Sequence, residues 1–162
     1  MEITKAKATD IEPIMRIYGS AKEFMKRSGN PTQWVDGYPS KELVMGDIEF
    51  GRLYICRDSD GDIVAVFCYF IANDPTYDVI YDGEWLNDGE YGVVHRIASS
   101  GKVRRVSDYC LEWCYAQHPN MRIDTHSDNI TMQSALQRLG YTQCGVIICC
   151  NGSERLAFHR SI

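Results

Sequence analysis

The feature that most constrains the fold is the stretch 91–117, which predicts a buried strand running almost directly into a helix. Residues 93–98 are mostly apolar and partly β-branched, as in a buried strand. After a turn at Ser100 and Gly101, the inward face of a helix is marked at three- and four-residue spacing by Val103, Val106, Cys110, Trp113, Cys114 and Gln117. Such a junction presents unpaired N–H groups at the positive end of a helix dipole, which suits a phosphate group, although many α/β proteins bind nothing there.

Composition narrows the class of protein. With 162 residues and 44% hydrophobic content, the chain is expected to form one domain over residues 1–162. A net charge of −5 and scattered basic residues argue against a nucleic-acid partner. No apolar run approaches the ~20 residues of a membrane span, and the N-terminus lacks a signal-peptide core. Seven cysteines without framework spacing fit a reducing compartment, so we expect a cytoplasmic protein without a membrane partner.

The remaining pattern predicts an α/β fold with a mixed central sheet flanked by helices, in the order β-α-α-β-β-β-α-β-α-β-β. The first helix ends before residue 28, and Ser40 caps a second helix that continues to about residue 50. Strands at 53–56 and 63–71 form a hairpin. Further strands are predicted at 121–126, 141–150 and 155–158, with a helix between Asn129 and Gly140 and weak strand character at 77–81.

Two loops are candidates for ligand contacts. Residues 29–40 form a Gly- and Pro-rich loop that carries Trp34 and Tyr38. Large aromatic side chains in such a loop often line a binding cleft, but they can equally belong to a lid packed on the core. Residues 73–92 form a longer excursion before the central strand, and loops of this length in compact domains tend to be functional.

Four segments carry a resemblance to a known family: ATDIEPIMRIY, HRIASSGKVRRVSDYCLEWC, RIDTHSDNITMQSALQRLGY and CGVIICCNGSERLAF. Together with the element order, they make nearly the whole chain similar to the GNAT family of N-acetyltransferases. The resemblance implies that the pyrophosphate of acetyl-CoA binds backbone N–H groups at the start of the central helix. It also implies that the pantetheine arm runs between two splayed central strands and contacts an asparagine at the start of the following helix.

The resemblance assigns site residues by position. The phosphate loop corresponds to Lys102, Val103, Arg104, Arg105, Val106 and Ser107, the strand residues that pair with pantetheine to Ile97, Ala98 and Ser99, and the asparagine to Asn129. Four positions depart from the family pattern. Arg105 and Ser107 stand where the loop has glycines, and Lys102 stands where it begins with Gln or Arg. The tyrosine that many members use as general acid falls at Leu136.

Acetylation of an amine requires a base for the ammonium proton and a donor for the thioester carbonyl. His95, two residues before Ile97, is the candidate base, because imidazole exchanges protons near neutral pH. The alternative is that His95 is a buried structural residue whose hydrogen bonds only link the sheet to a helix. Backbone N–H groups near Ala98 and Ser99 are candidate donors to the carbonyl. Asp124 and His126 on the neighbouring strand are second choices, with either a structural role or a role in orienting the acceptor.

The cysteines predict neither a metal site nor redox chemistry. Cys110, Cys114 and His118 share a helix side, but a fourth ligand with suitable spacing is absent, and free cysteines are usually small core residues. No metal is therefore expected. Cys149 and Cys150 are adjacent on a predicted strand, and core packing is the interpretation that fits them best.

The sequence thus predicts an N-acetyltransferase that moves an acetyl group from acetyl-CoA to a small-molecule or peptide amine by direct attack. The acceptor is expected to enter between the loop with Trp34 and Tyr38 and the excursion before the central strand. Acidic residues there would favour a cationic amine, although acidic loops are usually only solvated: Asp36, Asp82, Glu84, Asp88 and Glu90. The competing prediction is a non-catalytic acyl-CoA-binding or interaction module of the same fold. A homodimer, common among relatives, is a further expectation.

Overall fold

A computed structural model describes residues 1–162 of the chain and contains the predicted order of strands and helices. The strands are β1 Glu2–Lys5, β2 Leu53–Arg57, β3 Ile63–Ile71, β4 Gly92–Ser99, β5 Asn120–Thr125, β6 Thr142–Ile148 and β7 Glu154–Ser161. The helices are α1 Ile11–Arg27, α2 Lys41–Glu49, α3 Val106–Gln117 and α4 Ile130–Arg138, with short 3-10 helices at Ala8–Asp10 and Pro75–Tyr77. No helix is both long enough and apolar enough to cross a membrane.

The strands form one mixed sheet of seven in the order β1-β2-β3-β4-β5-β7-β6. Strands β1, β2 and β3 pair antiparallel, β4 and β5 pair parallel, and β7 pairs antiparallel with both β5 and β6. The predicted α/β class with a mixed sheet flanked by helices is therefore confirmed. The chain divides into two compact units, and each is described separately.

The first unit comprises Met1–Tyr69 and Arg96–Cys110. Helix α1 buries Ile14, Ile17 and Tyr18, because these side chains recur on one face at helical spacing. Ser40 caps α2 as expected, since its hydroxyl accepts a hydrogen bond from the Leu43 N–H at 3.1 Å. The predicted hairpin is formed by β2 and β3, and residues 64–68 of β3 are almost fully buried.

The second unit comprises Phe70–His95 and Leu111–Ile162. Its core contains a buried cluster of Tyr77, Tyr91, Val93, Ile147 and Ala157, against which Phe70, Ile80, Trp85 and Cys149 pack. Much of the long excursion thus contributes apolar side chains to this core instead of extending into solvent. Asn129 caps α4 through a bond from the Met132 N–H, and Gly140 follows the helix with a φ of 82°.

Four predictions about local structure need correction. Helix α3 begins at Val106 and not at Val103, because Arg105 has a φ of +57°, which a right-handed helix does not allow. On that helix, Gln117 is exposed, whereas Leu111 is fully buried. Residues 77–81 are not a strand: Pro75–Tyr77 is a 3-10 helix, and Tyr81 forms only an isolated bridge with Val146.

The fourth correction concerns the last hairpin. Strand β6 ends at Ile148, so Cys149 begins the turn, which the bond from the Gly152 N–H to the Cys149 carbonyl closes. Cys150 lies within this turn and is exposed, so it is not part of the core. The side chain of Asn151 closes the hairpin early, because its Oδ1 atom accepts bonds from the backbone N–H and hydroxyl of Ser153 and from the Cys149 thiol.

Candidate active site

The candidate site lies where β4 and β5 stop pairing. The paired residues are Gly92 with Met121 and Val93 with Arg122, although both strands continue further. Two residues beyond Val93 and two beyond Arg122, the strands carry His95 and Asp124, whose side chains lie on the same side of the sheet. The Nδ1 atom of His95 is 3.8 Å from Oδ1 of Asp124. The end of the pairing therefore leaves these two side chains facing each other without a direct hydrogen bond.

A second carboxylate approaches the other ring nitrogen of His95. The Nε2 atom lies 2.7 Å from Oδ2 of Asp74, and the two side chains are 24% and 11% exposed. Burial alone would raise the pKa of the Asp74 carboxyl, but hydrogen bonds from His95 and Thr76 outweigh burial and hold this pKa at about 2. Asp74 is therefore ionised at neutral pH and can only accept the hydrogen of Nε2.

Neighbouring side chains fix the position of Asp74. The Tyr91 hydroxyl accepts a bond from the Asp74 N–H and donates one to Oδ1 of Asn73, both at 3.0 Å. The Oδ1 atom of Asp74 accepts from the backbone N–H and the hydroxyl of Thr76. Because Tyr91 is itself part of the buried cluster, the start of the excursion is fastened directly to the core beside His95.

Asp124 is held from one side by Tyr77. The Tyr77 hydroxyl donates to Oδ1 of Asp124 at 2.6 Å, and the tyrosine side chain is only 1% exposed. Burial and the nearby Asp124 charge raise the pKa of Tyr77 well above its usual value, so the hydroxyl is a hydrogen-bond donor at neutral pH. The rings of Phe70 and Tyr77 lie 5.8 and 6.1 Å from the His95 ring and surround the site with apolar carbon.

In the first unit, the aromatic loop packs against α1 and the end of β4. Trp34 contacts the rings of Tyr18 and Tyr38 edge-on, at 5.7 and 6.3 Å between ring centres. The Tyr38 hydroxyl accepts a bond from Arg96, whose guanidinium also pairs with the fully buried carboxylate of Asp47. Trp34 is half-buried and Tyr38 is 36% exposed, so both remain candidate substrate contacts.

The predicted phosphate loop also lies in the first unit. Arg105, which stands where the family pattern has a glycine, has a φ of +57°, a left-handed conformation that favours glycine. Lys102 is engaged elsewhere, because its Nζ atom lies 2.7 Å from both Asp58 and Asp62 in the turn between β2 and β3. The exposed guanidinium groups of Arg104 and Arg105 form no ion pair within the chain, which leaves them available to a phosphate.

The other predicted cofactor residues divide between the two units. Ile97, Ala98 and Ser99 end β4 in the first unit, and the Ser99 hydroxyl accepts a bond from the Gly101 N–H at 3.0 Å. Val103 precedes α3, Val106 is its buried first residue and Ser107 follows in the first turn. Asn129 lies in the second unit, with its Oδ1 atom occupied by the helix cap.

Four further positions considered from the sequence have structural roles or no role in the site. Leu136 is fully buried, and its hydrocarbon side chain has no proton to donate. His126 bonds within its own turn, where its Nδ1 atom accepts from the Asp128 N–H at 3.0 Å. Cys110 and Cys114 are buried free thiols, and no three His, Cys, Asp or Glu side chains are grouped to hold a metal ion.

Sequence reasoning missed Asp74 and Tyr77 as site residues. The only signal for them was their place in a long loop, since a carboxylate in such a loop has no periodicity that would mark its partner. Asp47 and Arg96 were missed for a similar reason: they are 49 residues apart, and neither lies in a recognisable motif.

Comparison with known proteins gives the family. No protein-family model and no curated protein matches the chain. Among solved structures, it is 32% identical to an acetyltransferase of the GNAT family from Streptococcus agalactiae 2603, with a TM-score of 0.90, covering 99% of this chain and 95% of that one.

Two more distant structures share the fold. A GNAT-family acetyltransferase from Listeria monocytogenes 4b F2365 is 18% identical, with a TM-score of 0.73 and coverage of 99% and 94%. The NatC complex bound to Gag peptide and CoA contains a chain that is 11% identical, with a TM-score of 0.59 and coverage of 100% and 99%. With the identity and coverage of the streptococcal structure, the chain belongs to the GNAT family of acetyltransferases and is an acyltransferase.

Proposed function

We propose that this protein transfers the acetyl group of acetyl-CoA to an amine by direct attack, with His95 as the base. The observation that carries this proposal is the pairing of His95 Nε2 with Asp74, which leaves Nδ1 without a hydrogen-bond partner. An ionised Asp74 requires the hydrogen of neutral His95 to be on Nε2, so Nδ1 presents a lone pair. A positioned lone pair of this kind is what a general base needs.

The proton balance of the reaction follows from this arrangement. An aliphatic amine is protonated at neutral pH and must lose a proton before it can attack. Nδ1 accepts this proton, and the resulting imidazolium is stabilised by the Asp74 carboxylate at Nε2. The free amine then forms the N–C bond while the C–S bond of the thioester breaks and the electron pair leaves with sulfur. The nitrogen sheds its second proton on becoming the amide, and one proton ends on sulfur to give the thiol.

The residues at the end of β4 fit acetyl-CoA, which would supply the acetyl group as a thioester. The backbone at Arg105 has the left-handed conformation that favours glycine, and the first turn of α3 leaves N–H groups without acceptors in the helix. Arg104 and Arg105 add charge for the phosphates, whereas Lys102 is held by the hairpin turn. The CoA bound in the NatC structure, which shares this fold, supports the same assignment.

A turnover assay tests this proposal. The protein is incubated with acetyl-CoA and a panel of small-molecule and peptide amines, and both the free thiol and the acetylated product are measured. Amine-dependent thiol release with a matching product supports the transferase. Acetyl-CoA binding without release for any amine would favour the non-catalytic module, a reading motivated by the buried leucine at position 136.

A further inference from the structure

We infer that Asp124 binds the acceptor as its counter-ion, and that the acceptor is an aliphatic amine taken up as the ammonium ion between Asp124 and His95. This inference rests on the proposed function, because it places the acceptor at the base assigned above. It adds to the proposed function that Asp124 selects the acceptor and that the acceptor binds in its protonated, cationic form.

The first support is acceptor capacity that the chain's own donors do not fill. Nδ1 of His95 has no hydrogen-bond partner and lies 3.8 Å from Oδ1 of Asp124, which accepts one bond from the Tyr77 hydroxyl. No other donor reaches the Asp124 carboxylate, so Oδ2 and the second lone pair of Oδ1 remain open. A single nitrogen about 2.8–3.0 Å from both Nδ1 and the carboxylate would satisfy both acceptors, and an ammonium ion has the hydrogens for it.

The second support is uncompensated charge. Asp74 and Asp124 are 11% and 15% exposed and flank one histidine, yet neither carboxylate has a Lys or Arg partner. The two carboxylates lie in surroundings that include the Phe70 and Tyr77 rings. Mostly buried carboxylates are normally paired with a cation, since their attraction to one is less screened than at the surface. A cationic ligand is therefore the complement of this site.

Tyr77 acts as a positioning residue for this contact. Its hydroxyl holds one oxygen of Asp124 at 2.6 Å, while its side chain is too deeply buried to touch the acceptor. Loss of the hydroxyl should let the carboxylate rotate away from His95 without removing its charge. The effect of Tyr77→Phe should therefore have the same sign as that of Asp124→Asn but a smaller size.

Matched ligands and matched variants test the inference. Calorimetry with CoA present compares a linear aliphatic amine with the alcohol of the same chain length for the wild type, Asp124→Asn, Tyr77→Phe and Glu154→Gln. Glu154 is exposed on β7, so Glu154→Gln makes the same change in net charge as Asp124→Asn but away from the site. We expect the wild type to bind the amine at least about tenfold more tightly than the alcohol. Asp124→Asn should abolish that preference, and Glu154→Gln should keep it.

Steady-state kinetics give the second readout. For the same amine, Asp124→Asn should raise KM by about tenfold or more and Tyr77→Phe by a smaller factor, with less change in kcat than in KM. An Asp124→Asn protein that folds and keeps the preference for amine over alcohol would overturn the inference, as would a Tyr77→Phe protein that keeps the wild-type KM if Asp124→Asn does not fold. If the wild type binds the amine through Asp124 but transfers no acetyl group, the proposed function fails, and only the ammonium contact at Asp124 stands. If the wild type transfers acetyl groups but Asp124→Asn keeps the preference for amine over alcohol, the inference alone fails.

Discussion

His95 on the central strand and Asp74 at the start of the preceding excursion form a hydrogen-bonded pair, with 2.7 Å between Nε2 and Oδ2. The pair fixes both the orientation and the tautomer of the imidazole, because an ionised carboxylate can only accept. The excursion therefore has a defined role: it carries the group that prepares the histidine for proton transfer. The start of the excursion is anchored through Tyr91, which belongs with Tyr77 to the buried cluster of the second unit, so the core fixes the position of Asp74.

The backbone conformation of Arg105 leads to a first prediction. A non-glycine residue at a φ of +57° is strained by roughly 1–2 kcal/mol. Glycine removes this strain, but its greater conformational freedom in the unfolded chain offsets part of the gain. Arg105→Gly should therefore raise the free energy of unfolding by about 0.5–1 kcal/mol while weakening acetyl-CoA binding through the lost guanidinium. Urea unfolding and acetyl-CoA titration measure the two effects.

Arg104 provides the control for this prediction, since it is equally exposed but has no positive φ. Arg104→Gly should lower stability or leave it unchanged. A stabilising effect of both substitutions would mean that the gain comes from the lost charge and not from the backbone.

Gly83 leads to a prediction about the attachment of the excursion to β6. A Cβ atom on Gly83 would lie 1.8 Å from the backbone oxygen of Cys144, so the two segments could not keep their spacing. We expect Gly83→Ala to lower the free energy of unfolding by at least about 2 kcal/mol. The matched change Gly46→Ala, in α2 with nothing within 4 Å, should stabilise by about 0.5–1 kcal/mol. Equal effects of the two substitutions in urea unfolding would contradict the close approach.

His159 should make stability depend on pH. It is fully buried, its Nδ1 atom accepts from the Leu86 N–H, and its Nε2 atom contacts Oδ1 of Asn120. Burial, with the nearby Arg122 charge, lowers the pKa of His159 to about 4. The unfolded chain therefore binds a proton more readily than the folded one between pH ~6.5 and ~4.

The contribution of His159 to stability is accordingly complete above pH ~6.5 and is lost as the pH falls towards ~4, by an amount on the order of 3 kcal/mol. Urea unfolding at a series of pH values measures this slope. His159→Gln should be less stable at neutral pH and show a shallower slope across the same interval. A slope equal to that of the wild type would assign the pH dependence to other groups.

Local patterns in the sequence were sufficient to predict the fold, because each strand and helix has its own periodicity and caps. They also indicated His95, which lies on the most recognisable strand. They could not indicate Asp74 or Tyr77 as site residues, since these contacts depend on how a loop without periodicity folds back on the sheet. Asp124 was a second choice on the neighbouring strand, and its place beside His95 follows from the register of β4 and β5. Lys102 is the opposite case, a residue that the sequence assigned to the site and that the structure engages elsewhere. It matches the phosphate loop by position, yet its charge is paired with Asp58 and Asp62, 44 and 40 residues earlier.

The central claim is that His95, prepared by Asp74, is the base, and amine-dependent thiol release at saturating acetyl-CoA tests it most directly. We predict that His95→Gln lowers kcat by about 100-fold or more, and that Asp74→Asn lowers it by a smaller factor. Acetyl-CoA binding should be unchanged in both variants. Wild-type kcat in a folded His95→Gln protein would contradict the assignment of the base.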